Sequence, residues 1–268
     1  MAGLRYEALT RELRGAIFKV RNELGGGWSE EIYHQALVTL LNEREIPTKS
    51  KTRRSFVYRG IELHTFEPDI VVWDKIILEL KVLPYQKDFA NGHYAQIIHY
   101  LKFFENHLGL LVNFAAPRVK IKRVLWDTTP FEKTESYDHI QSHLAAQDRS
   151  CLRIIRQMIL TLAKEFGLGY PETIYRKAMA IEAAHNHIDC ICDIGLEAKW
   201  NGKTIGRHVT NQLLLQHDYL LHIRSMLDGP TTHDFISTKT YLKNLGLRFG
   251  LVVNFGKKQL QIFGVTPD

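Results

Sequence analysis

The chain is written twice, and that limits its fold more than any local pattern does. Glu165 to Tyr175 (EFGLGYPETIY) repeats Glu23 to Tyr33 (ELGGGWSEEIY) at a shift of 142, with Gly167, Gly169, Glu172, Ile174 and Tyr175 at the same steps. The stretch from Tyr241 to Phe255 overlays Tyr100 to Phe114 without a gap at a shift of 141. Trp200-Asn201-Gly202-Lys203 falls where Tyr58-Arg59-Gly60-Ile61 falls, and Asn-Gly favours a hairpin turn. Solenoid units are far shorter than this period, so the repeat predicts two copies of one domain. With 268 residues there is room for two cores. The expected division is 1–127 for the first domain, 128–147 for a polar linker containing Pro130 and running into a helix, and 148–268 for the second domain.

Within the first copy, Leu13, Ile17, Val20 and Leu24 stand at helical spacing before Gly25-Gly26-Gly27, which ends the helix. Ser29 is placed to cap a second helix whose apolar stripe is Ile32, Ala36, Leu37, Leu40 and Leu41. Thr52 to Leu63 reads as a hairpin turning at Arg59-Gly60. His93 to Glu105 reads as a helix with Gln96 and Tyr100 on one face, and Leu108 to Phe114 as a buried strand. Val119 to Trp126 follows as a basic strand. This order predicts an α/β fold, a mixed central sheet flanked by helices, in each of two tandem domains.

Phe66 to Val82 (FEPDIVVWDKIILELKV) carries charge where a sheet interior should be apolar. It reads as two antiparallel strands turning at Asp74-Lys75. Asp69 and Glu79 then lie near each other across the ladder, and Glu79 and Lys81 share a face with Leu80 on the other. Carboxylates this close repel unless a hard dication holds both ionised, and Mg²⁺ is the simplest occupant.

Pro68-Asp69 followed by Glu79-Leu80-Lys81 resembles the active-site signature of the PD-(D/E)xK nuclease superfamily. Gly27 to Tyr33 is similar to the G-x-x-E-x-x-Y pattern of its bacterial GxxExxY branch, and Gln96 to Tyr100 to the Q-x-x-x-Y helix of its exonuclease-like branches. The resemblance implies a metal-dependent nuclease acting on nucleic acid, with DNA the expected partner and Mg²⁺ or Mn²⁺ the cofactor. Asp69 and Glu79 would be metal ligands, with the Leu80 carbonyl and Glu30, directly or through water, as further ones. Lys81 would position or help deprotonate the attacking water. Gln96 and Tyr100 would orient Lys81 or touch the substrate backbone.

The chemistry is not repeated. In HVTNQLLLQHDYLLHIR, Asn211 stands at or near the place of Asp69, His222 at that of Glu79 and Arg224 at that of Lys81, with one extra residue assigned to the turn. Ser237 replaces Gln96. An amide, an imidazole and a guanidinium make a poor site for a hard dication, so this copy is expected to pack against the first and extend a substrate surface. His185, His187, Cys190 and Cys192 lie close in sequence, but the spacing is not that of a zinc site, and strand parity puts both thiols on an apolar face.

The formal charge of +6 suits a polyanionic partner. Arg53 and Arg54, among four basic residues in the six positions Lys49 to Arg54, and Lys120 and Lys122 of the basic strand are candidate phosphate contacts. No stretch suggests a membrane span, and three cysteines without a disulfide framework point to a reducing cytoplasm. A non-catalytic nucleic-acid-binding or assembly role is the alternative, and the burial cost of three retained charges argues against it.

Overall fold

A computed structural model describes residues 5–84, 88–115, 117–127 and 130–268. It divides into two compact units: Met1–Val57 with His64–Thr128, and Tyr58–Leu63 with Thr129–Asp268.

In the first unit, helices α1 (Glu7–Leu24) and α2 (Glu30–Glu43) precede strand β1 (Thr48–Ser50). A hairpin of β2 (Arg54–Tyr58) and β3 (Ile61–Phe66) follows, its tip counted with the second unit. Then come β4 (Ile70–Val72), β5 (Ile76–Lys81), helix α3 (Asn91–Phe103), β6 (Leu108–Asn113) and β7 (Lys120–Leu125). The sheet order is β1-β4-β5-β6-β7, with β5 and β6 parallel and the other neighbours antiparallel. Strand alternation assigns the two faces. Ile76, Leu78 and Leu80 join Leu13, Ile17, Tyr33 and Leu37 of α1 and α2 in one core. Val71 and Ile77 pack with Ile97 and Leu101 of α3 in the other. Glu79 follows Ile77 on the α3 side, which explains how a carboxylate enters a strand whose other face is core.

Some local expectations change. The turn between β4 and β5 is centred on Trp73 and Asp74, each at φ 53°, and the Lys75 N–H closes on the Val72 carbonyl at 3.0 Å. Trp73 therefore lies outside the strand. Ser29 occupies the N-cap position of α2, but its hydroxyl makes no capping bond. Ile32 is exposed, and Tyr33 and His34 take the inward positions beside Leu37, Leu40 and Leu41.

The second unit begins with β8 (Glu132–Ser136), a short 3₁₀ turn (Gln141–His143), α4 (Ala146–Phe166) and α5 (Glu172–His185). It continues with β9 (Cys190–Ile191), a hairpin of β10 (Ile194–Trp200) and β11 (Lys203–Thr210), β12 (Leu213–Leu215), β13 (Tyr219–Arg224), α6 (Thr232–Leu245), β14 (Gly250–Phe255) and β15 (Gln259–Val265). Its sheet, β8-β15-β14-β13-β12-β9, matches the first sheet strand for strand with β8 added at one edge. Much of the expected linker 128–147 is thus ordered structure: β8 pairs parallel with β15, and Glu135 accepts two bonds from Arg156 of α4 at 2.6 and 2.8 Å. That bidentate pair holds the Glu135 carboxyl down at about 2.

The repeat extends to side-chain contacts. Tyr33 stacks on Phe114 at 4.4 Å and donates to the Gly25 carbonyl at 2.8 Å; Tyr175 stacks on Phe255 at 4.0 Å and donates to the Gly167 carbonyl at 2.7 Å. Asn113 bridges the backbone N–H and C=O of Leu83, as Asn254 does those of Met226. Among the described residues no helix is long and apolar enough to cross a membrane.

Candidate active site

β4 and β5 pair only as far as Ile70 opposite Leu78, because the chain leaves the ladder at buried Pro68, which has no N–H to give. The Leu80 N–H, left without a rung, donates to Asp69 Oδ2 at 2.7 Å. This bond fixes the Asp69 carboxylate against β5. The Asp69 carbonyl accepts from the Lys51 N–H at 2.9 Å and lies 3.2 Å from His34 Nε2. His34 sits one turn beyond Glu30 on α2, so the helix that presents Glu30 also braces Asp69. Sequence reading missed His34; its i,i+4 spacing from Glu30 was the available signal.

Glu79 is 1% exposed. Its Oε1 accepts from Lys81 Nζ at 2.7 Å, and its Oε2 is buried with no hydrogen-bond partner. Burial, and next the Asp69 charge, push its carboxyl up to about 7 despite the Lys81 bond. Glu30 stands 3.8 Å from Lys81 Nζ, and burial raises its carboxyl as well. Burial works against the Lys81 ammonium, but the charge and hydrogen bond of Glu79 outweigh it and raise its pKa, so this lysine stays protonated. The structure thus gathers Glu30, Asp69, Glu79 and Lys81 at the end of β5. No cluster of three or more His, Cys, Asp or Glu residues poised to hold a metal ion stands among the described residues. These carboxylates are neighbours rather than a preformed cage.

From α3, Gln96 Nε2 donates to Tyr100 Oη at 3.0 Å. Burial pushes the Tyr100 phenol up to about 12, and the Glu79 and Asp69 charges act in the same direction. His93, also overlooked in the sequence, has a pKa lowered first by burial and then by the Lys81 charge.

The four basic candidates all have partners inside the first unit. Arg53 pairs with Glu67, and Arg54 lies over the Phe103 and Phe104 rings at 5.3 and 5.1 Å. Lys120 and Lys122 reach Asp88 at 3.3 and 3.9 Å. Exposed pairs of this kind are weak and screened by solvent, so a phosphate can compete for these side chains.

The corresponding site in the second copy is built differently. The β12–β13 turn has the same length as its counterpart: Gln216 and His217 carry φ of 52° and 60°, and Leu213 faces Leu221 as Ile70 faces Leu78. Gln212, one residue before β12, therefore stands where Asp69 stands, and the expected extra turn residue and the Asn211 pairing are corrected. His222 and Arg224 hold the places of Glu79 and Lys81. Arg224 Nη1 bonds Glu172 at 2.7 Å, and its Nε lies 3.0 Å from Asp234 Oδ1 as an ion pair without a directed hydrogen bond. A guanidinium thus sits between the two carboxylates. In the zinc candidate, Cys192 is exposed and Cys190 half-buried, which corrects the expectation of two thiols on an apolar face.

A family model of the PD-(D/E)XK nuclease superfamily matches residues 7–124 and again 149–263. Among solved structures, one described as "Crystal structure of SSO0001" is similar at 22% identity and a TM-score of 0.31, over 47% of this chain and 62% of that one. The chain thus spans less than two thirds of that protein's length. No curated protein matches the chain. With one family model covering both halves and the same sheet order and side-chain contacts in each, the chain belongs to the PD-(D/E)XK nuclease superfamily, as two tandem copies of its domain.

Proposed function

We propose that the first copy hydrolyses phosphodiester bonds in nucleic acid, with DNA as the expected substrate, at a site where Asp69 and Glu79 hold Mg²⁺ or Mn²⁺. The observation that carries this reading is the buried Glu79 Oε2, which has no donor and lies beside a second carboxylate. An unpaired buried carboxylate oxygen is costly unless a cation uses it, and a hard dication suits two such oxygens. Glu30 and the Leu80 carbonyl are the further ligands proposed.

Bound there, the cation would supply Lewis-acid stabilisation of charge on the scissile phosphate. The remaining work falls to the chain itself. The Leu80 N–H fixes the Asp69 carboxylate against β5, and His34 and Lys51 hold the backbone behind it. Lys81, protonated and 2.7 Å from Glu79, offers its remaining N–H bonds to a water or a phosphate oxygen. Tyr100 accepts from Gln96 and keeps its own hydroxyl hydrogen to donate toward the same space.

Purified full-length protein should cleave labelled nucleic acid only with Mg²⁺ or Mn²⁺. Asp69→Asn or Glu79→Gln should abolish cleavage while leaving nucleic-acid affinity within a few-fold. Mutants that cut as fast as the wild type would overturn the assignment. Metal-independent binding with no cleavage of any substrate would leave a binding module in its place.

A further inference from the structure

The degenerate site of the second copy lines an open cleft of about 390 Å³, within the size range of small-molecule sites. Its floor holds a hydrogen-bond network centred on Thr238. The Thr238 hydroxyl donates to the Asp234 carbonyl at 2.7 Å, which uses its only hydrogen. His222 Nδ1, 2.9 Å from Thr238 Oγ1, must therefore be the donor of that pair, and Gln212 Nε2 donates to the same oxygen at 3.4 Å. This fixes the tautomer of His222 and the orientation of the Gln212 amide. His222 Nε2 is left as a lone pair, and Gln212 Oε1 as a buried acceptor with no partner on a side chain that is 1% exposed. Gln212 and His222 both line the cleft, and among the described residues no hydrogen-bond donor reaches Gln212 Oε1, while His222 Nε2 lies 4.0 Å from Asp234 Oδ1.

Electrostatics narrow what could fill it. Arg224 is already engaged by Glu172 and Asp234, and one guanidinium does not outweigh two carboxylates, so a phosphate gains nothing here. A metal ion would meet the same guanidinium beside its would-be ligands. A partner suited to these acceptors is neutral and carries adjacent N–H donors. At the rim, Tyr241 and His208 lie with ring centres 5.8 Å apart and share a hydrogen bond of 3.1 Å, which offers a flat group an aromatic flank.

We infer that this cleft is a nucleobase pocket, best matched by guanine, whose Watson–Crick edge presents N1–H and N2–H side by side to Gln212 Oε1 and His222 Nε2. Adenine and cytosine present a single donor group beside an acceptor. Splayed bases of single strands are read through this edge, with aromatic side chains beside them. The inference stands on the second copy alone and does not depend on cleavage by the first.

The test titrates the full-length protein, with histidine rings labelled with ¹⁵N, with GMP, AMP, CMP and UMP, and separately with Mn²⁺ or Zn²⁺. GMP should bind most tightly and shift the His222 Nε2 resonance. Gln212→Leu, checked for folding, should weaken GMP about tenfold, as expected for one buried hydrogen bond. If that variant fails to fold, the His222 resonance of the wild type decides. Equal binding of all four nucleotides, no response of His222 to any of them, or a response to the metal ion instead of GMP would each overturn the inference.

Discussion

Replacing Glu79 with Gln in the metal-free protein isolates the cost of the buried carboxylate. The group titrates near 4.5 in the unfolded chain and near 7 when folded, because burial and the Asp69 charge disfavour its ionised form. The folded state therefore holds this proton more tightly. The resulting stabilisation is complete below pH 4.5 and is lost as pH rises through 7. At 1.36 kcal/mol per pH unit, the interval corresponds to about 3 kcal/mol. That figure is an upper one, since the proton on Glu79 is shared with a network that includes Lys81 and Glu30. Gln also leaves an amide unpaired at every pH, whereas the loss of the Lys81 ion pair is felt only where Glu79 is ionised and is already contained in the value of about 7. The quantity to measure is therefore the change in wild-type stability between pH 4.5 and 8.5, minus the same change for Glu79→Gln, both in EDTA. A chain of two units need not unfold in one step, so native-state hydrogen exchange at β5 amides such as Leu78 is the appropriate assay. The wild type should lose up to about 3 kcal/mol relative to the variant. Mg²⁺ at pH 8.5 should restore the wild type and leave the variant unchanged. Parallel pH profiles for the two proteins would refute the reasoning.

Other predictions follow from paired positions in the two copies. Alanine at Gly250 would place its Cβ 2.7 Å from the Leu220 backbone oxygen, whereas at Gly109 it would meet the movable end of Ile97 at 2.5 Å. Gly250→Ala should therefore lower the melting temperature more than Gly109→Ala does. Tyr33→Phe and Tyr175→Phe each strip a partner from a glycine carbonyl and should cost about 1–2 kcal/mol apiece in chemical denaturation. Arg224→Met leaves Glu172 and buried Asp234 facing each other, so the second unit should lose about 3 kcal/mol in hydrogen exchange while the cleavage proposed for the first copy should stay unchanged.

The sequence by itself established the two copies, because glycines, aromatic residues and apolar runs recurred at one shift, and it named Asp69, Glu79 and Lys81 through strand alternation and a family signature. It could not settle register. Asn211 and Gln212 are adjacent amides before an unbroken run of leucines, Leu213 to Leu215, whose uniform character carries no parity. Only the ladder, with Leu213 opposite Leu221, shows that Gln212 holds the place of Asp69. Nor did polar 128–147 advertise a strand, since β8 gains its order from the edge of β15 and from Arg156, partners distant in sequence. Tertiary structure also decided the electrostatics. Whether a glutamate is an ordinary surface acid or a buried one with an unclaimed oxygen depends on what surrounds it in space, and for Glu79 that is burial, Asp69 and a lysine.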